Sequence, residues 1–179
     1  MTLTKQALLL LAGLMFGAGM AAAHGPTPQK GEEKIIIAAP PDKVWAVIKE
    51  FGSFAEWNPA VTKCVAEGGN AAGATRVITL KNGGELTEGL DEYDDKAKMY
   101  AYRLSKENIE VFPVSFYSAT ITVKPAGDGS EVEWVGRFYR ADTNNEPPEN
   151  FNDAAAVKAM QDFMKAGLEG LKAKAEGKS

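Results

Sequence analysis

The sequence predicts an α+β fold: a curved seven-stranded antiparallel sheet wrapped around a long C-terminal helix, with two short helices after the first strand. Three observations carry that expectation. Six alternating runs between Val61 and Arg140 are parted by breaks too short for a parallel crossover, so neighbouring strands must run antiparallel. A β-branched run and a helical stretch stand ahead of them, and the clearest 3.6-residue periodicity of the chain stands behind them. A sheet with one apolar face and a helix with one apolar stripe bury both surfaces most economically against each other.

The first strand is read from KIIIAA, residues 34–39, rich in β-branched side chains. In PPDKVWAVIKEFGSFAEWNPAV, Pro41 suits the first turn of a helix and Asp42 the positive end of its dipole. Val44, Trp45, Val47, Ile48 and Phe51 recur at helical spacing. Gly52 ends that helix, a second short turn carries Phe54 and Trp57, and Pro59 closes it. Strands follow at about 61–67, 74–80, 85–92, 98–105, 114–124 and 131–140, between the turn-forming breaks GGNAAG, KNGG, DDKA and PAGDGS. The loop ADTNNEPPENFND leads into a helix over 152–174. There Val157, Met160, Met164, Leu168 and Leu171 form one apolar stripe, with charged residues opposite.

Ahead of this domain, Lys5, the apolar run 7–20 and Ala21-Ala22-Ala23 have the form of a cleavable export signal. The run is shorter than the roughly 20 residues that cross a bilayer, so no membrane association is expected after cleavage. A cut after Ala23 removes 23 of 179 residues and leaves 156, beginning at His24, the one histidine of the chain. A periplasmic location is the expectation. Residues 24–32 read as a flexible leader and 33–176 as a single domain, large enough to bury a core without staples. Without Lys5, 19 basic residues stand against 24 acidic ones, which argues against a nucleic-acid partner. Cys64, the lone cysteine, forms no internal disulfide and reads as a small buried residue on a strand.

APPDKVW after the first strand, the aromatic at Phe51, EWNP before the second strand and VEWVGRFYRA in the last carry a resemblance. Over about residues 33–173 the chain resembles the START-like (SRPBCC), or polyketide cyclase/dehydrase-like, superfamily, which implies the helix-grip fold of START and Bet v 1-like proteins. Within that superfamily, the export signal, the mature start HGPTPQK and this domain together are similar to the MxaD family of periplasmic accessory proteins in bacterial methanol oxidation. That resemblance implies a non-catalytic partner of methanol dehydrogenase, of its cytochrome c acceptor, or of both, which assists electron transfer between them. It implies neither quinone nor haem in this chain, and the sequence has no C-x-x-C-H run for covalent haem attachment.

The chemistry-bearing residues agree with a binding role. One histidine in the leader and one cysteine in the domain assemble no nucleophile–base pair, so no catalytic residue is predicted. Nor do they make a transition-metal ligand set, and DEYDDKAK lacks the regular oxygen spacing of a calcium loop. No metal and no cofactor is therefore expected. Asp91, Glu92, Asp94 and Asp95 form the densest acidic cluster; it reads as a solvated hairpin end or as a negative patch facing a basic partner. Strand alternation turns Tyr100, Tyr102, Tyr117, Trp134 and Phe138 inward, with Met160, Phe163 and Met164 facing them from the helix and Trp57 near the rim. These nine side chains either line a cavity for a small apolar ligand or fill the core. Arg103 and Arg137 are expected on the opposite face.

Overall fold

Residues alternating between apolar and polar build most of the sheet, and the register of their pairing puts most of the apolar side chains on one side. The computed structural model describes residues 25–178. The strands are β1 (Gln29–Ile37), β2 (Val61–Glu67), β3 (Thr75–Leu80), β4 (Glu85–Asp94), β5 (Met99–Lys106), β6 (Val114–Ala126) and β7 (Gly129–Arg140). All pairings are antiparallel, in the spatial order β1-β7-β6-β5-β4-β3-β2. The helices are α1 (Pro41–Ile48), α2 (Phe54–Trp57) and α3 (Asp153–Glu176). This is the predicted helix grip, with α3 lying chiefly on β1 and β7.

Each helix end has a local cause. Pro41 occupies the first turn of α1 after an extended Pro40, and Asn152 caps α3 by accepting a 2.9 Å bond from the Ala155 amide. Gly177 closes α3 in the left-handed conformation, φ +72°. Met160, Met164, Leu168 and Leu171 of the predicted stripe are buried, whereas Val157 is only partly so. Gly170 lets α3 approach α2 closely: a Cβ there would stand 2.1 Å from the Trp57 carbonyl oxygen.

The main correction concerns the leader. Gln29–Glu32, expected to be flexible, pair with Val135–Phe138 as the first half of β1. Their polar composition hid the strand. Gly31 is buried between Phe138 and Met160, while Lys30, Glu32 and Lys34 point outward and pair with one another and with Glu133. The predicted signal, its cleavage point and His24 lie outside the described residues. Among the described residues no helix is long and apolar enough to cross a membrane.

Candidate functional site

Two strands carry a charged residue in phase with their apolar ones. β3 turns Arg76, Ile78 and Leu80 to the inner face, and β4 turns Leu86, Glu88 and Leu90 there. Register then sets Arg76 opposite Glu88, and both are essentially sealed from water, at 1% and 0% exposure. Arg76 Nε donates to Glu88 Oε2 at 2.5 Å, Tyr117 Oη donates to Glu88 Oε1 at 2.5 Å, and Arg76 Nη1 donates to the Phe51 carbonyl at 3.1 Å.

Three rings surround the guanidinium. Its carbon lies 3.9 Å from the ring centre of Phe54, 4.2 Å from Phe51 and 4.7 Å from Tyr102. Contact between a cation and aromatic faces offsets part of the lost hydration, and does so most where water is excluded. Burial opposes the charge on Arg76, yet the Glu88 carboxylate and the Tyr100 and Tyr102 hydroxyls outweigh it and hold the guanidinium pKa up. Burial pushes the Tyr100 hydroxyl up to about 12, and it raises Tyr102 and Tyr117 well above their ordinary value, with the Glu88 charge adding to the effect. These hydroxyls therefore act as neutral hydrogen-bond donors and acceptors. Trp134 Nε1, for example, donates to Tyr102 Oη at 3.0 Å.

The nine residues expected to face the space between sheet and helix converge there, but they pack on one another. Trp57, Tyr100, Tyr102, Tyr117, Trp134, Phe138, Met160 and Met164 are all buried. Trp57 is not at a rim: its ring sits 4.7 Å from Phe54 and 5.7 Å from Trp134, deep in the interior. Met164 fills the room left by Gly136, where a Cβ would stand 2.7 Å from its terminal methyl. Open space begins only at the mouth. There a groove of about 310 Å³ runs between Leu80, Phe112, Pro113, Ala159 and Phe163, with Lys81 and Asp162 among its polar lining. Phe112 and Phe163, 5.5 Å apart, are the inner wall of that groove, and Tyr117, Trp134 and Phe54 stand behind them. Of the nine, only Phe163 reaches it.

Three buried donors, Arg76 Nη2, Trp57 Nε1 and Asn58 Nδ2, have no hydrogen-bond partner among the described residues. Arg103 and Arg137 are exposed, as expected. Arg76 and Glu88 escaped the sequence reading, although R-x-I-x-L and L-x-E-x-L were the available signal: a charge exactly where alternation demands an apolar residue calls for a partner on the next strand.

The acidic cluster is tied into the fold. Asp91 accepts from Arg103 Nε at 2.7 Å, Asp94 caps the Lys96 and Ala97 amides, and Asp95 accepts from Trp45 Nε1 at 2.7 Å. That last bond holds the Asp95 carboxyl below its ordinary range. Glu92 is exposed. Cys64 is half-buried, and burial pushes its thiol up, away from reactive thiolate. No cluster of three or more metal-ligating side chains occurs among the described residues.

Comparison with known proteins agrees with this geometry. The structure is similar to that of an uncharacterised protein from Bacillus thuringiensis, at 26% identity and a TM-score of 0.68, covering 82% of this chain and 98% of that one. It is equally similar to the protein XoxI from Bacillus cereus, at 26% identity and a TM-score of 0.68, covering 81% and 94%. The ZhuI aromatase/cyclase from Streptomyces sp. R1128 shares the fold at 16% identity and a TM-score of 0.65, covering 84% and 94%. No curated protein sequence matches the chain. Residues 28–176 match the family model described as polyketide cyclase/dehydrase and lipid transport, so the chain belongs to that family.

Proposed function

We propose that the protein is an exported, periplasmic, non-catalytic accessory protein of methanol oxidation. In this reading it is MxaD-like: it docks on methanol dehydrogenase, on the cytochrome c acceptor, or on both, and assists electron transfer between them. The observation that supports the non-catalytic part is the filled interior; the tie to methanol oxidation rests on the resemblance of the export signal, HGPTPQK and this domain to the MxaD family. The position where a fold of this kind could hold a substrate is occupied by Arg76, Glu88 and the rings around them. Glu88 spends both oxygens on internal donors and is sealed from water, so it is poorly placed to move a substrate proton. A protein whose interior is closed acts through its surface. The test is reconstitution with purified methanol dehydrogenase and cytochrome c. Addition of the protein should raise the rate of cytochrome reduction, and no change at any ionic strength would defeat the proposal.

A second reading, a periplasmic carrier of a small apolar ligand, rests on the mouth groove and on the three unpaired interior donors. A volume near 310 Å³ lies at the bottom of the range of ligand sites, about 300–1,000 Å³. Native mass spectrometry of protein purified from its own periplasm decides this: a bound small molecule supports the carrier, and bare protein counts against it.

A further inference from the structure

Phe116 is the most exposed large apolar side chain among the described residues, at 72%. It is held at φ +49°, in the left-handed region, within a bulge that shifts the β6–β7 register between Ser115 and Ser118. For a bulky residue this conformation is an outlier, because the Cβ crowds the following carbonyl. Glycine or asparagine would make the same bulge with less strain. The chain thus bends its backbone unfavourably and leaves a ring in water, and neither helps it fold. Strain of this kind points to a use outside the fold.

The surroundings indicate that use. Arg103, Ser118 and Arg137 share one register row across β5, β6 and β7 and face outward beside the ring. Arg137 makes no hydrogen bond or ion pair among the described residues. Arg103, 66% exposed, meets Asp91 through Nε. A depression of about 380 Å³, lined by Arg103, Leu104, Phe116, Tyr117 and Ser118, opens beside the ring. Aromatic and arginine side chains brought together at a concavity are the composition of binding hot spots.

We infer that this outer face is the docking surface for a protein partner that receives the Phe116 ring in an apolar pocket and sets a carboxylate against Arg103 and Arg137. The inference rests on the accessory reading above. A protein partner fits better than an anionic bilayer. Lys30 extends the row of Arg103 and Arg137, and the next register row brings the carboxylates of Glu32 and Glu92 to the same face, so the face is mixed in sign on a chain whose net charge is −4. Anionic lipid gains little net attraction from such a mixed face, whereas a protein pocket needs only local complementarity.

The test compares the full chain with its Phe116→Gly, Phe116→Asn and Arg137→Glu variants. Binding to purified methanol dehydrogenase and to purified cytochrome c is measured by biolayer interferometry at low and high salt, beside phosphatidylglycerol vesicles. Both Phe116 variants should bind the protein partner at least about tenfold more weakly, the loss expected of a hot-spot ring. Arg137→Glu should slow association most at low salt. Phe116→Gly should meanwhile raise Tm by about 2–4 °C through release of strain, a gain that a supporting structural role would not produce. Partner binding unchanged in both Phe116 variants would overturn this surface and leave the accessory reading standing. Failure of the unaltered chain to bind either protein would overturn both. Phe116-dependent binding to vesicles alone, or a lowered Tm in Phe116→Gly, would also overturn the docking surface.

Discussion

The molecule places an arginine beside aromatic rings and a carboxylate twice, once inside and once outside. Inside, Arg76 lies among Phe51, Phe54 and Tyr102 with Glu88 opposite. Outside, Arg103 lies beside Phe116 with Asp91 as its partner. The residue types match, but water separates the cases. In the dry interior each charge depends on the other, since neither can recover its hydration. On the outer face both stay solvated and contribute little to stability. Such a pair is costly to break where it is buried and remains available to a partner where it is not.

The sharpest way to break this comparison is to remove one interior charge. Glu88→Ala strands the Arg76 cation and the Tyr117 hydroxyl, and should cost about 3–5 kcal/mol in urea unfolding. The double change Arg76→Met with Glu88→Leu should recover most of that loss, because it removes the stranded charge together with its partner. A double variant as unstable as Glu88→Ala would show that the rings, and not the charge pair, are the sensitive part.

Alkaline pH probes the same interior without mutation. Tyr100 titrates near 10 when unfolded and is pushed up to about 12 in the fold, with Tyr102 and Tyr117 also raised. Between those values the unfolded chain gives up protons that the folded chain keeps. Stability is therefore full below pH 10 and falls above it, by about 1.4 kcal/mol per pH unit for each such tyrosine. Phenolate absorbance should rise for these three residues together with loss of the near-ultraviolet circular dichroism signal. Ionisation ahead of unfolding would mean that water reaches the interior.

Packing gives a smaller effect. Gly170→Ala gains up to about 1 kcal/mol of helix propensity, but sets a Cβ 2.1 Å from the Trp57 carbonyl oxygen. Backbone cannot yield as a side chain can, so a net loss of about 1–3 kcal/mol is expected in thermal unfolding. Least of all should come from the outer face, where Asp91→Ala should leave Tm unchanged within error. A Tm loss there approaching that of Glu88→Ala would erase the contrast between the two sites.

Most of the fold was legible in the sequence because it depends on periodicity. The six antiparallel runs and the helix over 152–174 correspond to β2–β7 and α3 with boundary shifts of one or two residues. β1 was readable only from its β-branched half, since Gln29–Glu32 pair with β7 through their backbone and carry ion-paired side chains and a buried glycine where an apolar alternation would show. The inward tyrosines and Trp134 were placed on the buried face, yet alternation states direction and not fullness. Whether those rings enclose space depends on Met164 occupying the hollow at Gly136 and on α3 descending onto Trp57 at Gly170.

By itself, the sequence determined the class of fold, the order of its elements and which side chains turn inward, because local periods of 2 and 3.6 residues fix direction along each element. Tertiary structure decided what those side chains meet. Arg76 and Glu88 are twelve residues apart and become partners only through the β3–β4 register. Phe116 faces outward in phase with Ser118, but the left-handed backbone that carries its ring comes only from the β6 bulge. Registers and bulges are set by the summed packing of all seven strands, and no single segment carries that information.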